Sequence, residues 1–270
     1  MLTVLDLFSG IGGFSLGLSK TGGFCTEAFC EIESYPQQVL KKHWPGVPVY
    51  EDIRHLTSER LVRDGIPRID VITGGFPCQD ISLAGEQAGI EGSRSGLWGE
   101  YARLIGEIRP KYAVVENVSA LLSGESGGWF GTVLRDLARI GYDARWSCIS
   151  ASDCGAPHLR NRVWVLAYPN HTRLEGCEET GDTGSEGSEP YEQSTGCNQG
   201  NGSRKSVSQV CGMADGLSYW VDTPEPERVT KEAQKTIPRL KALGNSIVPQ
   251  IVTAIGQEIL KRESCQPQCS

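Results

Sequence analysis

The chain has 270 residues, 39% of them apolar, which is enough for one large domain, or one domain plus a small one, with a full core. Its net charge of −7 argues against a uniformly basic nucleic-acid binder. No stretch approaches the roughly 20 apolar residues of a membrane span, and Met1 runs directly into a predicted strand. We therefore expect a soluble, cytoplasmic protein with no membrane partner. Ten scattered cysteines and only four histidines predict reduced thiols and no metal site.

Apolar runs and helical periodicity alternate along the chain, a pattern typical of an open α/β sheet. A polar, glycine-rich loop over 80–96, which contains Arg94, is expected to be mobile and to close over a substrate. The predicted strands cover 2–7, 25–29, 48–50, 69–72, 112–115, 142–149 and 163–167, and the predicted helices cover 14–20, 34–44, 57–64, 97–108 and 129–140.

A glycine-rich turn over 8–13 follows the first predicted strand, and such a turn lets the backbone approach a ligand closely. The second strand leads to Glu31, which lies 21 positions after Gly10. This matches the spacing of about 20 at which a carboxylate holds a ribose hydroxyl in nucleotide-type sites. The alternative for Glu31 is a solvated acid at a strand end, but the accompanying glycine turn favours the binding role.

A second turn, over 74–79, places Cys78 between a proline and polar residues after the fourth strand. Open α/β sheets carry their chemistry at this carboxyl edge, so Cys78 is the candidate nucleophile. The alternative is a buried structural cysteine, which a rigid Gly/Pro loop makes less favourable.

Glu116 follows the next strand and would share the edge with Cys78 if the two strands are parallel neighbours. Its alternative role is to cap the following helix. Arg160 and Arg162, two apart near the start of the last strand, are expected to point to one face. Their alternative is a surface ion pair of little energetic value.

Taken in order, these stretches resemble the motifs of the C5-cytosine DNA methyltransferases. The resemblance covers 2–168 and about 237–262, and the order of the motifs makes it specific. Residues 6–13, with Phe8, Gly10, Gly12 and Gly13, look like the S-adenosylmethionine loop of that family. Glu31 and Ile32 look like its ribose and adenine contacts. Asp52 and Ile53 look like the next adenine contact. Pro77-Cys78-Gln79, Glu116-Asn117-Val118 and Arg160-Asn161-Arg162 resemble the catalytic motifs, and 244–249, with Asn245 and Ser246, resemble the closing motif.

The resemblance implies a Rossmann-like α/β methyltransferase sheet over 1–168, a small target-recognition region over 169–236, and a C-terminal segment over 237–270 that returns to the catalytic domain. It implies a monomer that uses S-adenosylmethionine, without a metal, to methylate carbon 5 of a flipped cytosine in double-stranded DNA. Cys78 would add to carbon 6, Glu116 would bind N3, Arg162 would bind O2, and Arg160 would support the loop. A cognate restriction endonuclease acting separately is left open.

The region before the closing motif departs from the family's pattern. His158 stands where the family usually has glutamine, and the recognition region is short. Between His171 and Lys205, seven acidic residues stand against three basic ones, so residues 174–199 are expected to be a weakly ordered insert that does not read DNA. Recognition is expected to rest on the flanks, with Arg204, Lys205, Tyr219, Trp220, Arg228 and Lys231.

Three other activities fit part of this pattern. A tRNA cytosine-5 methyltransferase of the same family would share the core, although its typical Cys-Phe-Thr-like residues are not identified here. A dinucleotide oxidoreductase would leave Cys78 and Glu116 without roles. A DNA-binding accessory protein that has lost activity would not need the nucleophile, the acid and the cofactor loop together.

Overall fold

A computed structural model describes residues 1–77, 96–154, 159–170 and 233–265, the last range with side chains from 237 onward. Within these ranges, seven strands form a single sheet with helices on both faces, which confirms the predicted α/β class. The strands are β1 (Leu2–Leu7), β2 (Phe24–Cys30), β3 (Val49–Tyr50), β4 (Val71–Gly75), β5 (Tyr112–Val118), β6 (Tyr142–Ile149) and β7 (Arg162–Pro169). The helices are α1 (Gly13–Ser19), α2 (Ser34–His43), α3 (Ser58–Arg63), α4 (Leu97–Ile108), α5 (Gly128–Arg139), α6 (Ala233–Gly244) and α7 (Pro249–Cys265).

The strand order is β3-β2-β1-β4-β5-β7-β6. Strands β1 to β5 pair in parallel, whereas β7 is antiparallel to both β5 and β6. Because β7 runs in the opposite direction, its first residue lies at the edge where the parallel strands end. That edge therefore collects the residues that follow β1, β2, β4 and β5 and those that begin β7.

Strand β1 is buried on both faces, as expected of a central parallel strand. Leu5 and Leu7 belong to the core beneath α4 and α5, whereas Leu2 and Val4 belong to the core beneath α1 and α7. The side chains alternate between the two faces because successive residues of a strand point in opposite directions.

The C-terminal helix α7 packs against α1. Gly17 and Gly256 make this crossing possible, because a Cβ at Gly17 would lie 2.6 Å from the carbonyl oxygen of Pro249 and one at Gly256 would lie 3.0 Å from Leu18. Within the described ranges, none of the helices combines the length and apolar character needed to cross a membrane.

Two strands end three residues beyond their predicted ends, whereas every other boundary lies within two residues of the predicted one. Strand β4 extends through Gly75, and β5 continues through Val118, so Glu116, Asn117 and Val118 belong to the strand and do not follow it. Polar residues at 116 and 117 suggest a strand end. Antiparallel pairing with β7, which sets Glu116 opposite Trp164 and Val118 opposite Arg162, prolongs the strand instead.

Candidate active site

The carboxyl ends of the parallel strands border a cavity of about 670 Å³, a volume typical of small-molecule sites. Cys78 lies outside the described residues, as does His158, but Pro77, directly before Cys78, lines the cavity. The cavity joins most of the predicted cofactor residues to the predicted catalytic ones. Its lining includes Phe8, Gly10, Glu31, Ile32, Asp52, Ile53, Pro77, Glu116, Arg160, Arg162 and Asn245.

At one end of the cavity, the glycine turn after β1 is joined to Glu31. Phe8 and Gly10 both have left-handed backbone conformations, with φ of 51° and 53°. The N–H of Gly10 donates to Oε2 of Glu31 at 2.7 Å, and the N–H of Glu33 donates to Oε1 at 2.7 Å. Burial raises the pKa of Glu31, and these two backbone donors counteract the rise. The carboxylate is thus fixed in orientation at the cavity surface, where its remaining lone pairs can accept hydroxyl groups.

Near Glu31, the cavity wall contains an apolar side chain, Ile32, and a carboxylate, Asp52, that an arginine holds in place. Ile32 lines the cavity and is 66% exposed, a large apolar side chain free to cover a flat ring. Asp52 accepts from Nε and Nη2 of Arg54 at 3.0 and 2.7 Å. This hydrogen bonding lowers the pKa of Asp52, so its carboxylate remains ionised and acts as an acceptor.

At the other end, Glu116 faces Arg162. Oε1 of Glu116 lies 3.1 Å from Nε of Arg162, and both groups line the cavity. Burial raises the pKa of Glu116, while the positive charges of Arg162 and Arg160 oppose the rise. The pKa of this buried carboxyl is therefore set by two opposing effects, desolvation and the charges of the two arginines.

Asn117 fixes the chain segment that leads to Pro77. Its Nδ2 donates to the carbonyl oxygen of Phe76 at 3.2 Å, and its Oδ1 accepts from the N–H of Val118 at 2.8 Å. The side chain therefore ties β5 to Phe76, which directly follows β4 and lies two residues before the predicted nucleophile.

The C-terminal segment closes the cavity from a third side. Nη1 of Arg160 donates to the carbonyl oxygen of Gly244 at 2.7 Å, and Nζ of Lys241 lies 2.9 Å from Oε1 of Glu33. The end of α6 thus contacts both Arg160, one of the predicted catalytic residues, and the loop that carries Glu31.

Three predicted cofactor residues lie outside this lining, and packing accounts for each. A Cβ at Gly12 would lie 2.3 Å from the Trp44 ring, and one at Gly13 would lie 2.9 Å from Ile247. Ser246 is buried and donates to the carbonyl oxygen of Leu243 at 2.7 Å. These residues shape the turn and the closing segment without facing the cavity.

Other lining residues were not predicted from the sequence. They are Cys30, Glu33, Tyr35, Pro36, Glu51, Arg54, Leu97, Ile237, Pro238, Lys241 and Ala242. Most are neighbours of predicted residues, but Ile237, Pro238 and Lys241 come from α6 and carry no motif. Burial raises the pKa of the Cys30 thiol to about 12, which makes it a poor competing nucleophile. Among the described residues, no group of three or more histidine, cysteine, aspartate or glutamate side chains is placed to hold a metal ion.

The sheet order and the cavity at the carboxyl edge are those of the Rossmann-like fold found in DNA methyltransferases. The family model of the C-5 cytosine-specific DNA methylases matches residues 2–209. The chain belongs to this family.

Type II methyltransferases are among its relatives. M2.BsuMI of Bacillus subtilis (strain 168) is 38% identical over 170 residues, covering 62% of this chain and 42% of that protein. M.NgoBI of Neisseria gonorrhoeae is 34% identical over 172 residues, covering 63% and 52%. A crystal structure of a DNA modification methyltransferase encoded within an E. coli prophage superimposes with a TM-score of 0.55 at 29% identity, covering 66% and 50%. The chain spans about half the length of the relatives it matches.

Proposed function

We propose that the protein is a DNA (cytosine-5)-methyltransferase that acts on a flipped cytosine in double-stranded DNA through a covalent adduct at Cys78. The observation that carries the proposal is one continuous cavity with Glu31 and Gly10 at one end and Glu116 and Arg162 at the other. A cofactor carrying ribose and adenine fits the first end, because a held carboxylate and an exposed isoleucine offer the contacts that those groups need.

Glu31 would bind the ribose hydroxyls, Ile32 and Ile53 would cover the adenine, and Asp52 would accept from its amine. Bound S-adenosylmethionine supplies an electrophilic methyl group on a sulfonium sulfur. Carbon 5 of cytosine is too weak a nucleophile to attack such a group, so the protein must first activate the ring.

Activation begins when the Cys78 thiolate forms a bond to carbon 6 of the base. The ring electrons move towards N3, where Glu116 donates a proton, and carbon 5 becomes nucleophilic. Arg162 would bind O2 and so stabilise the charge that develops on the ring. Arg160, which donates to Gly244, would hold the closing segment against this end of the cavity. After methylation, a water molecule takes the carbon 5 proton, the bond between carbon 6 and the Cys78 sulfur breaks to release the thiolate, and the N3 proton returns to the Glu116 carboxylate, which restores the aromatic ring.

None of these atoms is reachable inside a duplex, so the base must leave the stack at a cost of a few kcal/mol. We assign base recognition to 169–236, with the acidic 174–199 as an insert that does not contact DNA. We also infer a monomer that needs no metal ion for the reaction. A cognate restriction endonuclease would act separately.

The test is methyl transfer from radiolabelled S-adenosylmethionine to unmethylated duplex DNA of mixed sequence, with unmodified tRNA in a parallel reaction. The expected product is 5-methylcytosine in DNA, identified after nuclease digestion by mass spectrometry. Cys78→Ser is the matched control, because a hydroxyl is a far poorer nucleophile than a thiol at neutral pH. Methylation of tRNA alone would favour the RNA branch of the family, and methylation by Cys78→Ser would contradict the covalent route.

A further inference from the structure

Gly75 lies beside the carboxylate of Glu116. The two residues are partners in the parallel pairing of β4 with β5. A Cβ at position 75 would lie 2.8 Å from Oε2 of Glu116 and 3.5 Å from Cδ1 of Ile247. The carboxylate therefore occupies part of the space that a side chain at position 75 would need.

The backbone conformation does not explain the glycine. Gly10 and Gly12 have left-handed φ angles of 53° and 86°, which other residues adopt at a cost. Gly75 lies outside that range and belongs to a regular strand, whose backbone any residue can adopt. What matters at position 75 is the missing side chain and not the freedom of the backbone.

Two further groups confine the same carboxylate. Nε of Arg162 holds Oε1 of Glu116 at 3.1 Å, and Cδ1 of Ile247 lies next to the space above Gly75. Ile247 also contacts the cofactor turn, because a Cβ at Gly13 would lie 2.9 Å from Cβ of Ile247. The Glu116 carboxylate is thus confined to one position, in contact with the backbone of β4 at Gly75.

We propose that Gly75 is a positioning residue for Glu116, and that the absence of a side chain at position 75 sets the carboxylate at the place where it meets N3 of the base. This rests on the proposed function of Glu116. A methyl group at position 75 would push Oε2 away from β4, and a displacement of about 1 Å can cost a catalytic step about 100-fold.

The first experiment compares Gly75→Ala with Gly131→Ala, since a Cβ at Gly131 in α5 would meet no described atom within 4 Å. Three quantities are measured: the rate of covalent adduct formation with a 5-fluorocytosine duplex, the Kd of S-adenosylmethionine, and Tm. We expect Gly75→Ala to form the adduct about 10- to 100-fold more slowly, with the cofactor Kd within twofold of wild type. Gly131→Ala should match wild type in rate and Kd. An unchanged rate for Gly75→Ala, or an equal loss of cofactor affinity, would overturn the proposal.

The second experiment is a double-mutant cycle with Glu116→Asp, whose shorter side chain withdraws the carboxylate from the space above Gly75. Gly75→Ala should then cause little further change in rate or in Tm, so the two substitutions should be strongly non-additive. If Gly75→Ala alone folds poorly, the double variant Gly75→Ala with Glu116→Asp should have a Tm close to that of Glu116→Asp alone. Additive effects would overturn the proposal. Failure of the wild type to form any adduct would instead refute the proposed function, whereas the Tm cycle tests Gly75 independently of activity.

Discussion

The backbone N–H of Gly10 donates a 2.7 Å hydrogen bond to Oε2 of Glu31, 21 positions further along the chain. This bond joins the turn after β1 to the end of β2, and a second one, from Glu33, holds the other carboxylate oxygen. The carboxylate is therefore fixed before a ligand arrives.

Glu31→Ala should weaken S-adenosylmethionine binding by roughly 10- to 100-fold, because hydrogen bonds to a charged group contribute about 1.5–3 kcal/mol. At saturating cofactor, turnover should fall much less. Isothermal titration with S-adenosylmethionine, compared with kcat at saturation, would separate the two effects. The prediction is wrong if the Kd is unchanged.

Glu116→Gln should behave in the opposite way. The amide cannot donate a proton as a carboxylic acid does, so turnover should fall by about 100-fold or more. The cofactor Kd should stay within a few-fold of wild type, because β1 and β4 separate the end of β5, which carries Glu116, from the end of β2, which leads to Glu31. Single-turnover methylation and titration of the same preparation provide the measurement. Equal losses of cofactor affinity in this variant and in Glu31→Ala would contradict the two roles.

Asp6 predicts a pH dependence of stability. It is fully buried, with Oδ2 accepting from Oγ of Ser15 at 2.8 Å and Oδ1 from Oγ1 of Thr73 at 3.1 Å, and burial raises its pKa to about 7. Between pH 4 and pH 7 the folded protein keeps a proton that the unfolded chain has lost, so this group makes the free energy of unfolding fall as pH rises.

Asp6→Asn removes that titration and keeps the size of the side chain. The slope of the unfolding free energy between pH 4 and pH 7 should become less negative by up to about 1.4 kcal/mol per pH unit. Urea unfolding at several pH values, followed by circular dichroism, measures the slope. Asp136→Asn, at a partly exposed acid of α5, is the control and should leave the slope near that of wild type. Identical slopes for Asp6→Asn and wild type would show that Asp6 does not titrate in this window.

Much of the fold was predictable because local signals were strong. Helix α4 and strand β6 have the predicted bounds, since helical periodicity in one and alternation in the other are uninterrupted. The end of β5 was not predictable, since its last three residues are held by β7, about 45 positions later along the chain. Local propensity does not carry that information.

The residues of the cavity likewise divide into those that a local sequence pattern predicts and those that only distant contacts place. The spacing between Gly10 and Glu31 indicated their proximity correctly, because a βαβ unit fixes the distance between its strand ends. The particular contacts of α6 and Ile247 carry no local signal, since Lys241 pairs with Glu33 208 positions away and Ile247 packs against Gly13 near the start of the chain. Neither type of contact leaves a pattern in a single sequence.

The acidic insert is testable by deletion. Replacing 174–199, which lies outside the described residues, by a short Gly/Ser linker should keep the protein folded. DNA affinity should be unchanged or slightly higher at low salt, because removal of acids reduces repulsion of phosphates. Arg204→Ala with Lys205→Ala, on the flank, should lower affinity and weaken its salt dependence. Loss of sequence selectivity in the deletion, with Tm intact, would show that the insert reads bases.

Covalent trapping at Cys78 tests the central claim most directly. In long duplex DNA of mixed sequence with 5-fluorocytosine in place of every cytosine, the target base carries fluorine wherever the recognition sequence occurs, and fluorine blocks the final elimination. With S-adenosylmethionine present, wild type should form an adduct that survives denaturing electrophoresis, and peptide mass spectrometry should place it on Cys78. Cys78→Ser should form none. An adduct on another cysteine, or one that persists in Cys78→Ser, would contradict the assignment.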